Sequence, residues 1–231
     1  VTVNKPIKLA VIGRGLIGSA AARHLSKMGH EVALIGPGEP ADFPRHDGVF
    51  GSHYDEGRIT RTYDPQAFWR QMNRAAIARY GEIAAESGVD FYREAGALHV
   101  GNSETTDVAS VGQVCADEAI GCEAYRDAAL AERFPFLQST SGMLGYFEPR
   151  NAGYISPRRL VRAQAIAAEH AGARIIDEAA LGISETASGV TIRTRSGNLE
   201  AERVLVAAGG HTQSLLGRSL GVTVYARTAA L

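Results

Sequence analysis

The sequence predicts an α/β protein in which a layer built on a parallel sheet is interrupted by an inserted α+β segment. The chain opens with a short, mostly apolar run, Ile7-Lys8-Leu9-Ala10-Val11-Ile12, as expected of a parallel strand buried on both faces. Gly13-Arg14-Gly15-Leu16-Ile17-Gly18 follows at once, then a helical stretch of small residues and a second strand, completing a βαβ unit. Late in the chain, alternating strands lead into another small-residue strand, Val204-Leu205-Val206-Ala207-Ala208, which ends at Gly209-Gly210.

At 231 residues the chain holds one large domain or two small ones, with ample material for a core. Its 45% hydrophobic and 21% charged residues are those of an ordinary globular protein. A formal net charge of −1 leaves no overall field to recruit nucleic acid or an anionic membrane. No apolar run approaches the roughly 20 residues that cross a bilayer, and Val1 to Lys5 lead into a strand rather than a signal peptide. Cys115 and Cys122 have neither CxxC spacing nor histidines at zinc-finger distance. They read as reduced thiols in a cytoplasmic protein, and no metal site is expected.

After the first strand, a helix is expected from Ser19 to Met28, ending near Gly29, and a strand over Glu31 to Ile35 closed by Gly36-Pro37-Gly38. Asp42 to Arg61 reads as a long functional loop. Phe68, Met72, Ala76, Tyr80 and Ile83 recur at steps of three and four and predict a helix over Pro65 to Ser87. The texture then changes: a strand over Phe91 to Val100, helices near Val108 to Ala119 and Ala128 to Arg133, and a strand over Gly145 to Phe147. Ser156-Pro157 opens a helix with Ser as N-cap and Pro at the first helical position, running to about Ala171. Strands are expected at Arg174 to Asp177, Ala180 to Ser184, Val190 to Arg195 and Leu199 to Arg203, with turns at Ser188-Gly189 and Ser196-Gly197. Gly221 to Ala226 alternates like a strand, and the sequence stops five residues later, so the polypeptide is expected to continue.

The GxGxxG at the first strand–helix junction carries the firmest chemistry. Gly13 permits the tight turn, Gly15 lets a pyrophosphate approach the backbone, and Gly18 lets the helix pack on the sheet. The unpaired N–H groups of the helix start, at Leu16, Ile17 and Gly18, and the helix dipole would bind the phosphates. A dinucleotide site is therefore expected. The end of the second strand, where a carboxylate would meet the adenosine ribose, holds Gly36 instead. Glu39 either substitutes for it or is a solvated loop carboxylate. No arginine at the tip points to NADP. The small residues at Ala208 and Gly209 allow a cofactor close to the backbone, or simply end a sheet strand.

A third signal is Phe50-Gly51-Ser52-His53-Tyr54-Asp55-Glu56-Gly57-Arg58-Ile59-Thr60-Arg61. Arginines three apart share one face if the segment turns helically, and a guanidinium grips a carboxylate with two parallel hydrogen bonds. Asp55 and Glu56 lie within reach in sequence, so a charge-balanced surface loop explains the pattern equally well.

This loop resembles the GSHHGDTRIIR segment of the FAD-dependent amino-acid oxidase family, in its branch of monomeric sarcosine oxidase and N-methyltryptophan oxidase. Gly51, Ser52, His53, Arg58, Ile59 and Arg61 match it. Gly145-Tyr146-Phe147-Glu148-Pro149, the helix from Ser156, and Val204 to Leu216 are similar to the same proteins in the same order. The likeness covers essentially the whole chain, but about the N-terminal three-fifths of the family's length. It implies a Rossmann-like FAD-binding domain from 1–89 and 150–231, with 90–149 as part of an α+β substrate domain that is incomplete at the C-terminus. It implies FAD contacts from Gly36, Ser52, His53, Leu181, Ala208 and Gly209 besides the GxGxxG, Arg58 against the flavin ring, and Arg61 on the substrate carboxylate. Tyr54 stands in place of the family's second histidine beside the flavin, and His211 where the family often has Trp. The family's covalent-linkage Cys, its oxygen-activating Lys and its second carboxylate ligand have no counterpart here, and Cys115 and Cys122 read as structural.

The implied reaction removes a hydride from an amine-bearing carbon of an amino acid or N-methyl amino acid. The imine then hydrolyses, and oxygen reoxidises the flavin to give hydrogen peroxide. Two alternatives stand: a flavin dehydrogenase or subunit using another electron acceptor, and a dinucleotide-binding fragment inactive until a second chain supplies the missing C-terminal part.

Overall fold

The computed structural model describes residues 6–42, 45–138 and 140–225. Strand β1 (Ile7–Ile12), helix α1 (Leu16–Lys27) and β2 (Val32–Ile35) form the opening βαβ unit as expected, and Gly29 at φ 86° takes the left-handed turn that ends α1. The long loop then finishes as a short strand, β3 (Arg58–Thr60). Helices α2 (Ala67–Ile77) and α3 (Tyr80–Ser87) replace the single helix expected over 65–87. The break lets Tyr80 turn inward, where it is buried, hydrogen-bonds Thr60 at 3.1 Å and packs edge-on against Phe91 and tilted against Tyr92.

The expected strand over 91–100 is two, β4 (Tyr92–Arg93) and β5 (Ala97–Asn102), divided where Gly96 adopts φ 76°. Next come α4 (Thr106–Asp117), β6 (Glu123–Arg126), α5 (Asp127–Arg133), β7 (Met143–Glu148) and β8 (Gly153–Ile155). Strands β6 and β8 carry no clear period-two apolar alternation in the sequence, and each is held by its pairing, β6 with β7 and β8 between β3 and β4. Helix α6 (Pro157–His170) starts at the expected proline; β9 (Arg174–Ile176), β10 (Gly182–Thr186), β11 (Gly189–Arg193), β12 (Asn198–Val206) and α7 (Thr212–Leu216) complete the chain order.

Chain contacts divide these elements into two compact units. The first takes in the described residues up to Glu56, Ile83–Asp90, and those from Pro157 onward. Its six-stranded sheet has the order β10-β11-β12-β1-β2-β9, in which β12, β1, β2 and β9 run parallel and β10 and β11 antiparallel. β2 is buried at every position and β1 at most, because α/β sheets cover both faces of their central strands. On one face Val11, Val32 and Leu34 meet Ala22 of α1 and Ala165 and Ala168 of α6, small residues that let two helices lie close to the sheet. On the other, Ala10, Ile12, Ala33 and Ile35 pack with Ile192, Ala201 and Leu215. Arg23 is fully buried on α1 and bonds Glu86 through Nε at 2.7 Å and Nη2 at 2.6 Å, which ties residues 83–90 to this unit. A buried arginine persists only with such a partner.

β12 is one continuous strand where two were expected. It pairs antiparallel with β11 along its first half and parallel with β1 from Ala201 to Val206. Its end is only half buried, and Leu205 is exposed. The strand expected over 221–226 is not formed in 221–225, where Val222, Val224 and Tyr225 are exposed and no described strand pairs with them; Ala226 lies outside the described residues.

The second unit takes in Gly57–Glu82 and Phe91–Ser156. Residues 57–82, assigned by sequence to the sheet layer, therefore pack with the inserted segment. Two three-stranded antiparallel sheets, β3-β8-β4 and β5-β7-β6, carry its backbone pairing. Tyr63, Val111 and Cys115 form a core cluster joined by Val114, Ile120, Cys122 and Tyr146.

The cysteines correct the sequence expectation: Cys115 and Cys122 are joined as a disulfide. It spans the end of α4, where Ala119 takes φ 50° and Ile120 N–H bonds back to the Cys115 carbonyl at 3.0 Å. That geometry, an αL residue closing the helix, is one a glycine would adopt freely and an alanine adopts at a cost. The reduced-thiol argument for a cytoplasmic protein falls with this pairing. Among the described residues, no helix is long and apolar enough to cross a membrane. Reducing the bridge is expected to cost about 2 kcal/mol of stability. Thiol titration of the native protein should find none, and thermal melts should drop by roughly 4–8 °C after phosphine treatment. Two titratable thiols before reduction, or melts that do not move, would contradict it.

Candidate functional site

In the first unit, the junction of β1 and α1 lies across the end of β12. Gly13 has φ 113°, donates its N–H to the Ile35 carbonyl at 2.8 Å, and leaves no room for a side chain against the Ala207 carbonyl. A Cβ on Gly18 would fall on the Gly13 carbonyl oxygen. Both positions are glycine because backbone meets backbone.

Gly15 differs. It is extended (φ −96°, ψ −166°) and caps α1 without a side-chain hydrogen bond, and a Cβ there would meet nothing nearer than His53 Nδ1 at 3.8 Å. Open ground therefore lies in front of the helix start. The N–H groups of Leu16, Ile17 and Gly18 belong to the first turn, where no helical carbonyl can accept them. The first turn carries no acidic residue, so the positive end of the helix dipole is not neutralised from within.

The sequence-selected residues around this junction are partly assembled. His53 is buried, with its ring against Tyr54 at 4.6 Å between centroids, and Ser52 is exposed in the adjoining turn. Ala208 follows the Ala207 contact, and Gly209, at φ 54°, begins a 3-10 turn. Leu181 is half exposed ahead of β10, its N–H bonded to the Arg193 carbonyl at 2.7 Å. Gly36 is required by Arg14, whose backbone nitrogen would lie 2.7 Å from a Cβ. Glu39 is drawn into an ion-pair group: Arg158 Nη2 reaches it at 2.7 Å, while Nη1 reaches Glu56 at 3.0 Å.

A carboxylate not singled out from the sequence stands nearby. Asp177, at the end of β9 beside β2, accepts the Gly38 N–H at 2.7 Å and lies 3.7 Å from Arg14 Nη1. Its position just after a strand end was visible. That β9 neighbours β2 was not, because sheet order is not written in the sequence.

Arg58 and Arg61 belong to the second unit. Arg58 begins β3 opposite Ile155, so the shared helical face expected from their spacing does not form. Glu56 pairs with Arg158 and Arg159. The Arg61 guanidinium lies over the Tyr63 ring at 5.1 Å from its centroid, with Asp64 Oδ2 3.8 Å from Nη2. Its Nε is buried without a hydrogen-bond partner among the described residues. Next to it, Thr62 donates its backbone N–H at 3.0 Å and its hydroxyl to the buried carboxylate of Glu148. Burial pushes the Glu148 carboxyl up from the usual range, against the opposing pull of the two Thr62 bonds and of Arg74 and Arg61. Glu148 and Thr62 also line a cavity of about 480 Å³ with Arg74, Glu118, Arg150 and Asn151. Among the described residues, no group of three or more His, Cys, Asp or Glu side chains is arranged to hold a metal ion.

A parallel sheet with a glycine turn opening onto a helix N-terminus at a strand's carboxyl end defines a dinucleotide-binding α/β protein. Comparison with known proteins narrows this: residues 8–229 match the family model described as FAD dependent oxidoreductase, and the chain belongs to that family. It is 27% identical over 210 residues to an N-methyl-L-tryptophan oxidase of Yersinia pestis (strain Pestoides F), covering 90% of this chain and 55% of that protein. Among solved structures it is similar to NikD, an unusual amino acid oxidase essential for nikkomycin biosynthesis (TM-score 0.75, 20% identity, 93% of this chain and 54% of that one). It is also similar to glycine oxidase from Geobacillus kaustophilus (TM-score 0.73, 22% identity, 94% and 58%). The chain thus spans about half the length of the relatives it matches.

The site makes one electrostatic prediction. Burial raises the Tyr63 phenol to about 12, only partly opposed by Arg61 and reinforced by Glu148. Between its ordinary value of 10.0 and about 12, the unfolded chain releases this proton and the folded chain keeps it. Its contribution is therefore whole below the lower value and is lost as pH rises through the window. An ultraviolet tyrosinate titration should lose its highest component in Tyr63→Phe. An unchanged titration curve would show that Tyr63 ionises normally.

Proposed function

We propose that this chain carries the FAD site and one wall of the substrate site of an oxidase acting on the C–N bond of an amino acid or N-methyl amino acid. The observation that carries the reading is the open ground at Gly15, between two glycines that packing demands. A pyrophosphate fits there because backbone N–H groups of Leu16, Ile17 and Gly18 are the donors left over at a helix start. Ala208, Gly209 and Leu181 would border the cofactor through their backbone, and Ser52 and His53 through the loop packed beside Gly15. Gly36 leaves room for Arg14 rather than offering a ribose acceptor, so Glu39, if it leaves Arg158, or Asp177 would take the ribose hydroxyls.

FAD, when bound, supplies the hydride acceptor that no side chain can provide. The protein's part is position and charge. Arg61 would hold the substrate carboxylate in a two-point grip and so fix which C–H bond is presented, largely a proximity effect. Arg58 and Tyr54 would stand beside the ring, as the family likeness implies, with Tyr54 offering a phenol where the family has histidine. Molecular oxygen is the proposed final acceptor and hydrogen peroxide the product. The coverage of about half of the relatives supports a further part of the site, on this or a second chain.

Anaerobic addition of amino acids and N-methyl amino acids to the FAD-loaded protein tests this. At least one should bleach the visible flavin band, and its decarboxylated amine should do so far more slowly. Admitting air should restore the colour with peroxide formed in equal amount. Flavin that stays bleached in air without peroxide, and recovers only on adding an artificial electron acceptor, would point to a dehydrogenase, and no bleaching by any member of the set would reject the reading.

A further inference from the structure

The segment that carries Arg61 is held by an unusual device. β3 pairs with β8 only as far as Thr60, and Tyr63 is already in the core, so Arg61 and Thr62 cross between them without a strand partner. Thr62 supplies the missing fixation: its backbone N–H and its hydroxyl both donate to one carboxylate, Glu148, at the end of β7. Two bonds from one residue to one planar group fix the rotation of the Thr62 peptide as well as its position. The direction in which the neighbouring Arg61 side chain leaves the chain is set with it. The Tyr63 ring then supports one face of the guanidinium. What remains is poorly satisfied: Asp64 at 3.8 Å is too far for a hydrogen bond, and Nε has no partner among the described residues. The arrangement holds an arginine in place while leaving its donors for something else.

We infer that Glu148 and Thr62 are positioning residues that pre-orient Arg61 for a ligand carboxylate. This rests on the reading of Arg61 given above and deepens it. Glu148 does not touch the ligand; it acts by removing rotational freedom that Arg61 would otherwise lose on binding. An acid suits the role because it accepts both Thr62 donors at once, whereas an amide accepts one and must reverse the hydroxyl to keep the second. Glu148→Gln therefore preserves a two-point clamp, Glu148→Ala removes it, Thr62→Ser keeps both donors, and Thr62→Val keeps only the N–H.

The test uses the FAD-loaded protein and two probes of like size, propionate and propionamide, with binding read from the shift of the flavin spectrum. Glu148→Ala should weaken propionate about tenfold, and Thr62→Val by about threefold or more, as expected for lost hydrogen bonds. Thr62→Ser and Glu148→Gln should stay within about threefold of the parent. Propionamide and FAD affinity should not change. Arg61→Met separates the two claims. If it leaves propionate binding unaltered, or the parent binds no propionate, the carboxylate reading of Arg61 fails. If Arg61→Met weakens binding but Glu148→Ala and Thr62→Val do not, the positioning role alone fails. Equal losses for propionate and propionamide would reduce the clamp to a structural contact and overturn the inference. Should Glu148→Ala not fold, Thr62→Val against Thr62→Ser decides the same question.

Discussion

In the first unit backbone meets backbone where the turn from β1 into α1 is pressed against the end of β12. Gly13 faces the Ala207 carbonyl and Gly18 faces Gly13, with no room for a side chain at either. Ala207 closes the contact by donating its N–H to the Ile12 carbonyl at 2.7 Å. β1 and β12 are thus held together where α1 begins, and no helical carbonyl accepts the N–H groups of its first turn. The remainder of the unit serves this crossing. α1 and α6 cover one face with small residues, and the Arg23–Glu86 pair anchors a distant stretch of chain against α1. Only then does the freedom at Gly15 acquire meaning, since an open site is useful when its borders are fixed.

The second unit works by different means. Its sheets are short, and several of its fixed points are polar or covalent rather than apolar: the Thr62–Glu148 clamp, the Cys115–Cys122 bridge, and Glu118 held by Arg70 and Arg74 at 2.6 Å each. Helix α2 buries no residue and leaves Phe68 and Trp69 exposed. Buried polar groups cost free energy unless paired, so a unit that uses them gains geometric definition more than stability. The Arg61 segment, which lies beyond the β3–β8 pairing, depends on that definition.

The parts legible in the sequence are those in which local rules and tertiary demands agree. The β1–α1–β2 unit, the proline start of α6 and the turns at Gly189 and Gly197 fall where apolar runs and turn residues put them. The errors have physical causes. A period of three to four continued through Ala78 and Arg79 because both halves are helical, yet burial of Tyr80 bends the path between them. β6 and β8 are strands by virtue of their partners. The cysteine spacing gave no hint of a bridge, since a helix end and an αL residue bring Cα atoms seven positions apart to 6.0 Å. At the candidate site, the glycines stood out from local pattern, and His53 only through the loop's family likeness. Asp177 and Glu148 were not, because each owes its place to the chain order of strands or to a contact 86 residues away.

We propose that Gly15 is glycine for a ligand's sake and not for the fold's. Titrating FAD into the parent protein and into Gly15→Ala, with thermal melts of both, addresses it directly. The parent should bind FAD saturably and one-to-one, Gly15→Ala should bind it at least about tenfold more weakly, and the melting temperatures of the FAD-free proteins should coincide. If the variant bound FAD as the parent does, or lost its fold along with its affinity, the open ground before α1 would not be the cofactor's seat.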